Sequence, residues 1–196
     1  EPVEQWKTII DPETGKNKIE LFYGDMKTHA FSFQMMAYIS RLAAIKRAVR
    51  ENPGKHIIVE RSLYTDKNVF AKMLYEDSLI SSTDYQIYTK WFDEFIQELP
   101  ETKYIYIQTA PEIANERIRR RGRSGEEGIT LEYIQRCHRM HEDWLLTLEN
   151  KDRQLHLIDN DKERKEEDYV DIMKDCIRFC STPMDEFVGT MKGYFE

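Results

Sequence analysis

Cysteine is scarce in this sequence: Cys137, Cys176 and Cys180 are the only three in 196 residues. An odd number in a chain of ordinary domain size argues against a disulfide framework and fits a reducing compartment, cytoplasmic in the first instance, with mitochondrial or nuclear locations open. Cys176 and Cys180 share a helical face but have no second ligand pair, so packed thiols are the better reading than a metal site. Long hydrophobic runs are missing too. The longest uncharged stretches, such as Ala30–Ser40, are too short and too polar to span a bilayer, and nothing resembles a signal peptide, so no membrane partner is expected. Positive charge is outnumbered, with 29 Lys and Arg against 36 Asp and Glu and a formal charge of −7. That balance argues against a dedicated nucleic-acid binder. Two further absences are more specific. The sequence starts Glu1-Pro2-Val3 without a methionine. It also lacks Gly-x-x-x-x-Gly-Lys-Ser/Thr, the loop that wraps phosphates in backbone amides. Its only Gly-Lys pairs, Gly15-Lys16-Asn17 and Gly54-Lys55-His56, have no Ser or Thr next and have Ile10 and Val49 where the first glycine belongs.

What is present is enough for a folded domain. Hydrophobic residues make up 40% and aromatics 12%, too many for a disordered chain, and the length suits one domain over residues 1–196. Phe31, Met35, Ile39, Leu42 and Ile45 recur at helical spacing, predicting a helix over Ala30–Asn52 that Pro53 and Gly54 stop. Further helices are predicted over Lys67–Tyr75, over Asp84–Leu99 with Thr83 as N-cap, over Pro111–Arg121, over Leu131 to about Leu148 and over Glu166–Cys180, with a last piece from Met184. Short apolar runs at His56–Glu60, Tyr104–Gln108 and Leu155–Asp159 read as buried parallel strands. Alternation of this kind predicts an α/β fold, a parallel sheet flanked by helices in three layers. Ligands of such sheets sit beyond the carboxyl ends of the strands.

Three groups of residues carry candidate chemistry. Arg117-Ile118-Arg119-Arg120-Arg121-Gly122-Arg123 places five arginines in seven residues, running from a helix into a glycine loop. Guanidinium forks suit phosphate oxygens, yet a solvated helix face or a basic patch fits the pattern equally. Arg117 and Arg121 share a face, with Arg123 in the adjoining loop. Glu60-Arg61-Ser62 puts a carboxylate able to hold Mg²⁺ beside a guanidinium able to meet a phosphoryl group, or else a plain ion pair. Gln34, Arg41 and Asp66, with Trp6, Tyr23, Phe33 and Phe70, form a looser set. A Gln amide offers donor and acceptor side by side to a base edge and aromatic rings stack on bases, although aromatics at helical spacing are more often core.

Taken in order, Glu1-Pro2-Val3 with Trp6, Tyr23 eleven residues before Gln34, Arg41, Glu60-Arg61-Ser62 with Tyr64 and Asp66, the arginine run and Trp144-Leu145-Leu146 resemble the deoxynucleoside kinase family. The resemblance runs from Glu1 to about Asp159. It implies a P-loop-kinase-like fold with an arginine-rich lid at about 117–129, and ATP- and Mg²⁺-dependent phosphorylation of the 5′-hydroxyl of a deoxynucleoside, in nucleotide salvage. It implies that Glu1 is the general base, that Glu60 lies near Mg²⁺ and that Arg61 lies beside the acceptor oxygen and the phosphates. Arg117, Arg121 and Arg123 match lid arginines. Tyr23 and Glu126 match the pair on the deoxyribose 3′-hydroxyl, Gln34 the residue on the base edge, Phe70 the stacking ring, and Trp6 and Phe33 the pocket wall. Arg41 and Asp66 match the polar pair of the cytosine- and purine-accepting members, which implies deoxycytidine or a purine deoxynucleoside. A homodimer packed through helices such as Ala30–Asn52 and Asp84–Leu99 is implied as well.

The family's phosphate loop precedes the Glu-Pro-Val segment. Together with the missing methionine, this gives the expectation of a leading segment outside this sequence, which alone would transfer phosphate poorly. The alternatives are a catalytically inactive homologue acting as a binding or scaffolding subunit, a thymidylate-type nucleoside monophosphate kinase, and nucleic-acid binding through the arginine run.

Overall fold

A computed structural model describes residues 2–122, 128–149 and 151–183. The chain divides into two compact units, Glu1–Pro100 and Glu101–Glu196.

The first unit is helical. Helix α1 (Val3–Lys7) leads through a short reversal, in which Ile10 pairs antiparallel with Asn17, into α2 (Lys18–Gly24). The Asn17 side chain accepts from the Ile19 and Glu20 amides, both at 3.0 Å, and Glu20 accepts from the Asn17 amide at 2.8 Å. That reciprocal cap satisfies the donors a helix start leaves open. Helix α3 (Met26–Glu51) starts on Asp25, whose carboxylate accepts from Thr28 N at 3.2 Å, and stops two residues before Pro53. Two short helices, α4 (Leu63–Thr65) and α5 (Lys72–Glu76), flank a π-helical turn at Asp66–Ala71. The sequence predicts one regular helix here. Instead the chain widens by one residue per turn, as helices do where a side chain is re-aimed. Helix α6 (Ser82–Ile96) is capped by Ser81, which accepts from Asp84 N at 3.1 Å, rather than by Thr83, which lies inside its first turn.

The core of this unit is Tyr38, Leu42, Leu63, Ala71, Tyr88 and Phe92. Burial of these large side chains, at about 25 cal/mol per Å² of apolar surface, is the main force holding α3 to α6.

The second unit holds the sheet. Strands β1 (Tyr104–Gln108) and β2 (Leu155–Asp159) run parallel in register, Tyr104 opposite Leu155 and Gln108 opposite Asp159. The crossover between them is α7 (Pro111–Arg121), α8 (Leu131–Leu145) and α9 (Lys151–Gln154), and α10 (Glu166–Ser181) follows β2. Pro111 opens α7, where its missing N–H costs nothing. Gly122 closes it with φ +59°, and its amide donates to Ile118 O at 3.1 Å. This left-handed position is one a side chain disfavours.

The parallel strand pair and its flanking helices are as the sequence predicts. The third predicted strand is not: among the described residues His56–Glu60 pairs with no neighbour, and Ile58 is 83% exposed. An apolar, β-branched run is strand-like in itself, but a strand exists only where another edge meets it. The predicted helical piece from Met184 lies outside the described residues.

Candidate functional site

Helix α3 brings the polar candidates together. Gln34 and Arg41, seven residues apart, lie on one face of it, and both are almost fully buried. The π-turn supplies Asp66, 3% exposed. Arg41 Nη1 donates to Asp66 Oδ2 in a close ion pair, and Gln34 Nε2 donates to the Asp66 carbonyl at 3.5 Å. Buried opposite charges repay their desolvation only in contact, so this pairing holds both side chains in place. The result is a fixed guanidinium–carboxylate pair with an amide loosely beside it in a largely apolar setting, able to present donors and acceptors to a flat polar ligand.

An aromatic group adjoins it along α3. Phe33 stacks on Phe22 with ring centroids 4.3 Å apart and takes the edge of Trp6 at 5.7 Å. Trp6 Nε1 donates to Ser40 Oγ at 2.8 Å, which ties α1 to α3 and fixes the indole. Tyr23 on α2 meets the Phe22 ring at 5.2 Å but is itself 68% exposed.

The third group follows the unpaired segment His56–Glu60. Glu60 is exposed, and Arg61 adopts φ +60°, a left-handed conformation uncommon for a residue with a Cβ. Its guanidinium sits over the Phe70 ring, 5.0 Å from the centroid. The next residue, Ser62, caps α4 reciprocally: Ser62 Oγ accepts from Thr65 N at 3.1 Å while Thr65 Oγ1 accepts from Ser62 N at 3.3 Å. The cap on one side and the Phe70 contact on the other hold Arg61 in a backbone state that costs about 1–3 kcal/mol, a cost that collects at functional positions. Asp66 and Phe70 are four residues apart on the π-turn, which links this group to the Gln34 and Arg41 array.

In the second unit the base of the arginine run is anchored. Arg117 Nη1 donates to Asn160 O at 2.7 Å and Nη2 to Asp161 O at 3.2 Å, while Arg120 pairs with Glu163 at 2.9 Å. The Ala110 amide donates to Asp161 Oδ1 at 2.7 Å, so the loop after β2 is held at both ends of the first turns of α7. Arg121 is exposed at the end of α7. Glu1, Arg123 and Glu126, and with the last two the centre of the expected lid, lie outside the described residues. Among those residues no group of three or more His, Cys, Asp or Glu could by itself enclose a metal ion.

Tyr88 on α6 escapes the sequence reading. It is fully buried, and burial together with the Asp66 carboxylate pushes its phenol pKa far above the ordinary value. At helical spacing it looks like any core tyrosine, and only the Gln34 and Asp66 side chains beside its hydroxyl distinguish it.

One unit holds a parallel strand pair joined through a helical crossover whose first helix carries the arginine run, and the other buries an Arg–Asp pair near a glutamine, so the chain is a mixed α/β protein, consistent with a P-loop-kinase-like fold. Comparison with known proteins narrows this. The family model for deoxynucleoside kinases matches residues 1–181, and the chain belongs to that family. It is 33% identical to human deoxycytidine kinase, over 74% of this chain and 64% of that protein. Identity is 34% to a probable deoxycytidine kinase of fowlpox virus, over 74% of this chain and 59% of the relative. It is 31% to the mitochondrial deoxyguanosine kinase of Xenopus laevis, over 74% and 61%. The chain thus spans less than two thirds of the length of these relatives.

Proposed function

We propose that this chain forms the acceptor site and lid of an ATP-dependent deoxynucleoside kinase that phosphorylates the 5′-hydroxyl of deoxycytidine or a purine deoxynucleoside. The buried array of Gln34, Arg41 and Asp66 carries the reading. Gln34 offers its amide to the base edge, and the Arg41–Asp66 pair holds the polar wall that cytosine or adenine, each with an exocyclic amine, would meet. Phe70 stacks on the base while Trp6 and Phe33 close the apolar side. Tyr23 and Glu126 take the 3′-hydroxyl. Family members named for deoxycytidine and deoxyguanosine support the same substrate class.

In the transfer, the 5′-oxygen bonds to the γ-phosphorus of ATP as the bond to the β–γ bridging oxygen breaks and its electron pair leaves with ADP. Glu1 takes the hydroxyl proton, a task for a carboxylate ionised at neutral pH. Arg61, Arg121 and Arg123 offset charge on the moving phosphoryl group, and Arg117 braces the lid. Glu60 fits Mg²⁺ as a single exposed carboxylate, since that ion prefers one or two such ligands with water and substrate phosphates. The metal would neutralise phosphate charge there. The outward faces of α3 and α6, with Ile39 and Trp91 about half exposed, fit the expected homodimer.

In the gene product that carries this sequence, Arg61→Ala and Glu1→Gln should each lower kcat with ATP and deoxycytidine by about 100-fold or more, with circular dichroism unchanged. Unchanged turnover in either variant would refute the assigned role.

A further inference from the structure

Among the described residues, the Tyr88 hydroxyl is a fully buried polar atom with no hydrogen-bond partner. Native cores leave few such groups, and each calls for a reason. The ring explains itself: Tyr38 meets its edge at 5.7 Å, and Tyr85 and Phe92 lie at 6.4 Å. A phenylalanine would serve that packing as well. The hydroxyl faces a different environment, with the Asp66 charge driving its pKa up beyond the effect of burial and the Gln34 side chain pulling it back.

Gln34 is the other half of the problem. Its Nε2 reaches the Asp66 carbonyl only at 3.5 Å, the loose limit of a hydrogen bond. An amide so weakly held can turn over, exchanging its donor and acceptor positions. Which way it points decides which base it accepts. With the nitrogen held on the protein side, its second N–H and Oε1 face outward. They match a ring-nitrogen acceptor beside an exocyclic amine, the edge of cytosine or adenine; thymine, with N3–H beside O4, needs the reverse.

We propose that Tyr88 is a positioning residue for base selection, its buried hydroxyl accepting from Gln34 Nε2–H in the nucleoside complex and locking the amide in the orientation that favours an amino-bearing base. This rests on the reading of Gln34 as the base-edge contact, and it explains both the orphaned hydroxyl and the loose amide by one contact that tightens with ligand.

The test is calorimetric binding of deoxycytidine, deoxyadenosine and thymidine to the full-length protein, which reads the base without depending on phosphate transfer. Tyr88→Phe should cut the preference for the better amino-bearing nucleoside over thymidine about fivefold, the effect of one neutral hydrogen bond. In a Gln34→Ala background the same substitution should change nothing further. A preference that falls in Gln34→Ala but not in Tyr88→Phe would overturn the Tyr88 role alone, above all if Tyr88→Phe also raises the melting temperature, as removing a merely orphaned hydroxyl would. A preference untouched by Gln34→Ala would overturn the base-edge reading beneath it.

Discussion

Arg41 and Asp66 place opposite charges in the interior, where each depends on the other. Removing one alone leaves an uncompensated buried charge, so Arg41→Met should destabilise the protein by about 3–5 kcal/mol in urea denaturation. Arg41→Met combined with Asp66→Leu should cost less than the single change, because both desolvation penalties disappear together. Additive losses would mean that the pair is not coupled as the geometry shows. The seven-residue spacing of Gln34 and Arg41 was legible in the sequence as one helix face. Their junction with Asp66 came only through the resemblance, because it depends on how α3 meets the π-turn. Tyr88 was not legible at all. Nothing in local pattern separates a core tyrosine from one whose hydroxyl lies beside a buried amide.

At the scale of elements, Tyr38 locks α3 to α6 by donating its hydroxyl to Trp91 O at 3.2 Å. Burial, and then the charges of Asp93 and Glu98, push its pKa up to about 12 from an ordinary 10. The folded state therefore holds the proton more tightly than the unfolded one. The associated stability is fully present below pH 10 and drains away as pH rises toward 12. Alkaline titration of unfolding should show that loss in the wild type and a shallower slope in Tyr38→Phe; identical slopes would place the ionising groups elsewhere. Periodicity made α3 and α6 legible, and Pro111 and Gly122 marked the two ends of α7. The short helices α1 and α2 were missed, although Asn17-x-x-Glu20 is a capping signature that could have located the second. His56–Glu60 reads as a strand because strand propensity is local, whereas strand pairing is not.

The molecule as a whole carries −7, but that average conceals an arginine run, two of whose five arginines are committed to structure. Arg117 and Arg120 are spent on the loop after β2, a division that helical spacing alone did not reveal, since it sets Arg117 beside Arg121. Composition indicated a folded protein and the alternation of apolar runs with helical spacing an α/β one, and among the described residues no helix is long and apolar enough to cross a bilayer. The family was legible only through the ordered set of residues from Glu1 to Trp144, because its motifs come from distant segments, each ambiguous alone. The central claim is that the acceptor is a deoxynucleoside and not a nucleotide. It is tested most directly by incubating the full-length gene product with ATP, Mg²⁺ and a panel of deoxynucleosides and deoxynucleoside monophosphates, and identifying products by phosphorus NMR. The account predicts a 5′-monophosphate from deoxycytidine or a purine deoxynucleoside, with no diphosphate from thymidylate. A diphosphate formed from a monophosphate, with every deoxynucleoside left unchanged, would contradict it.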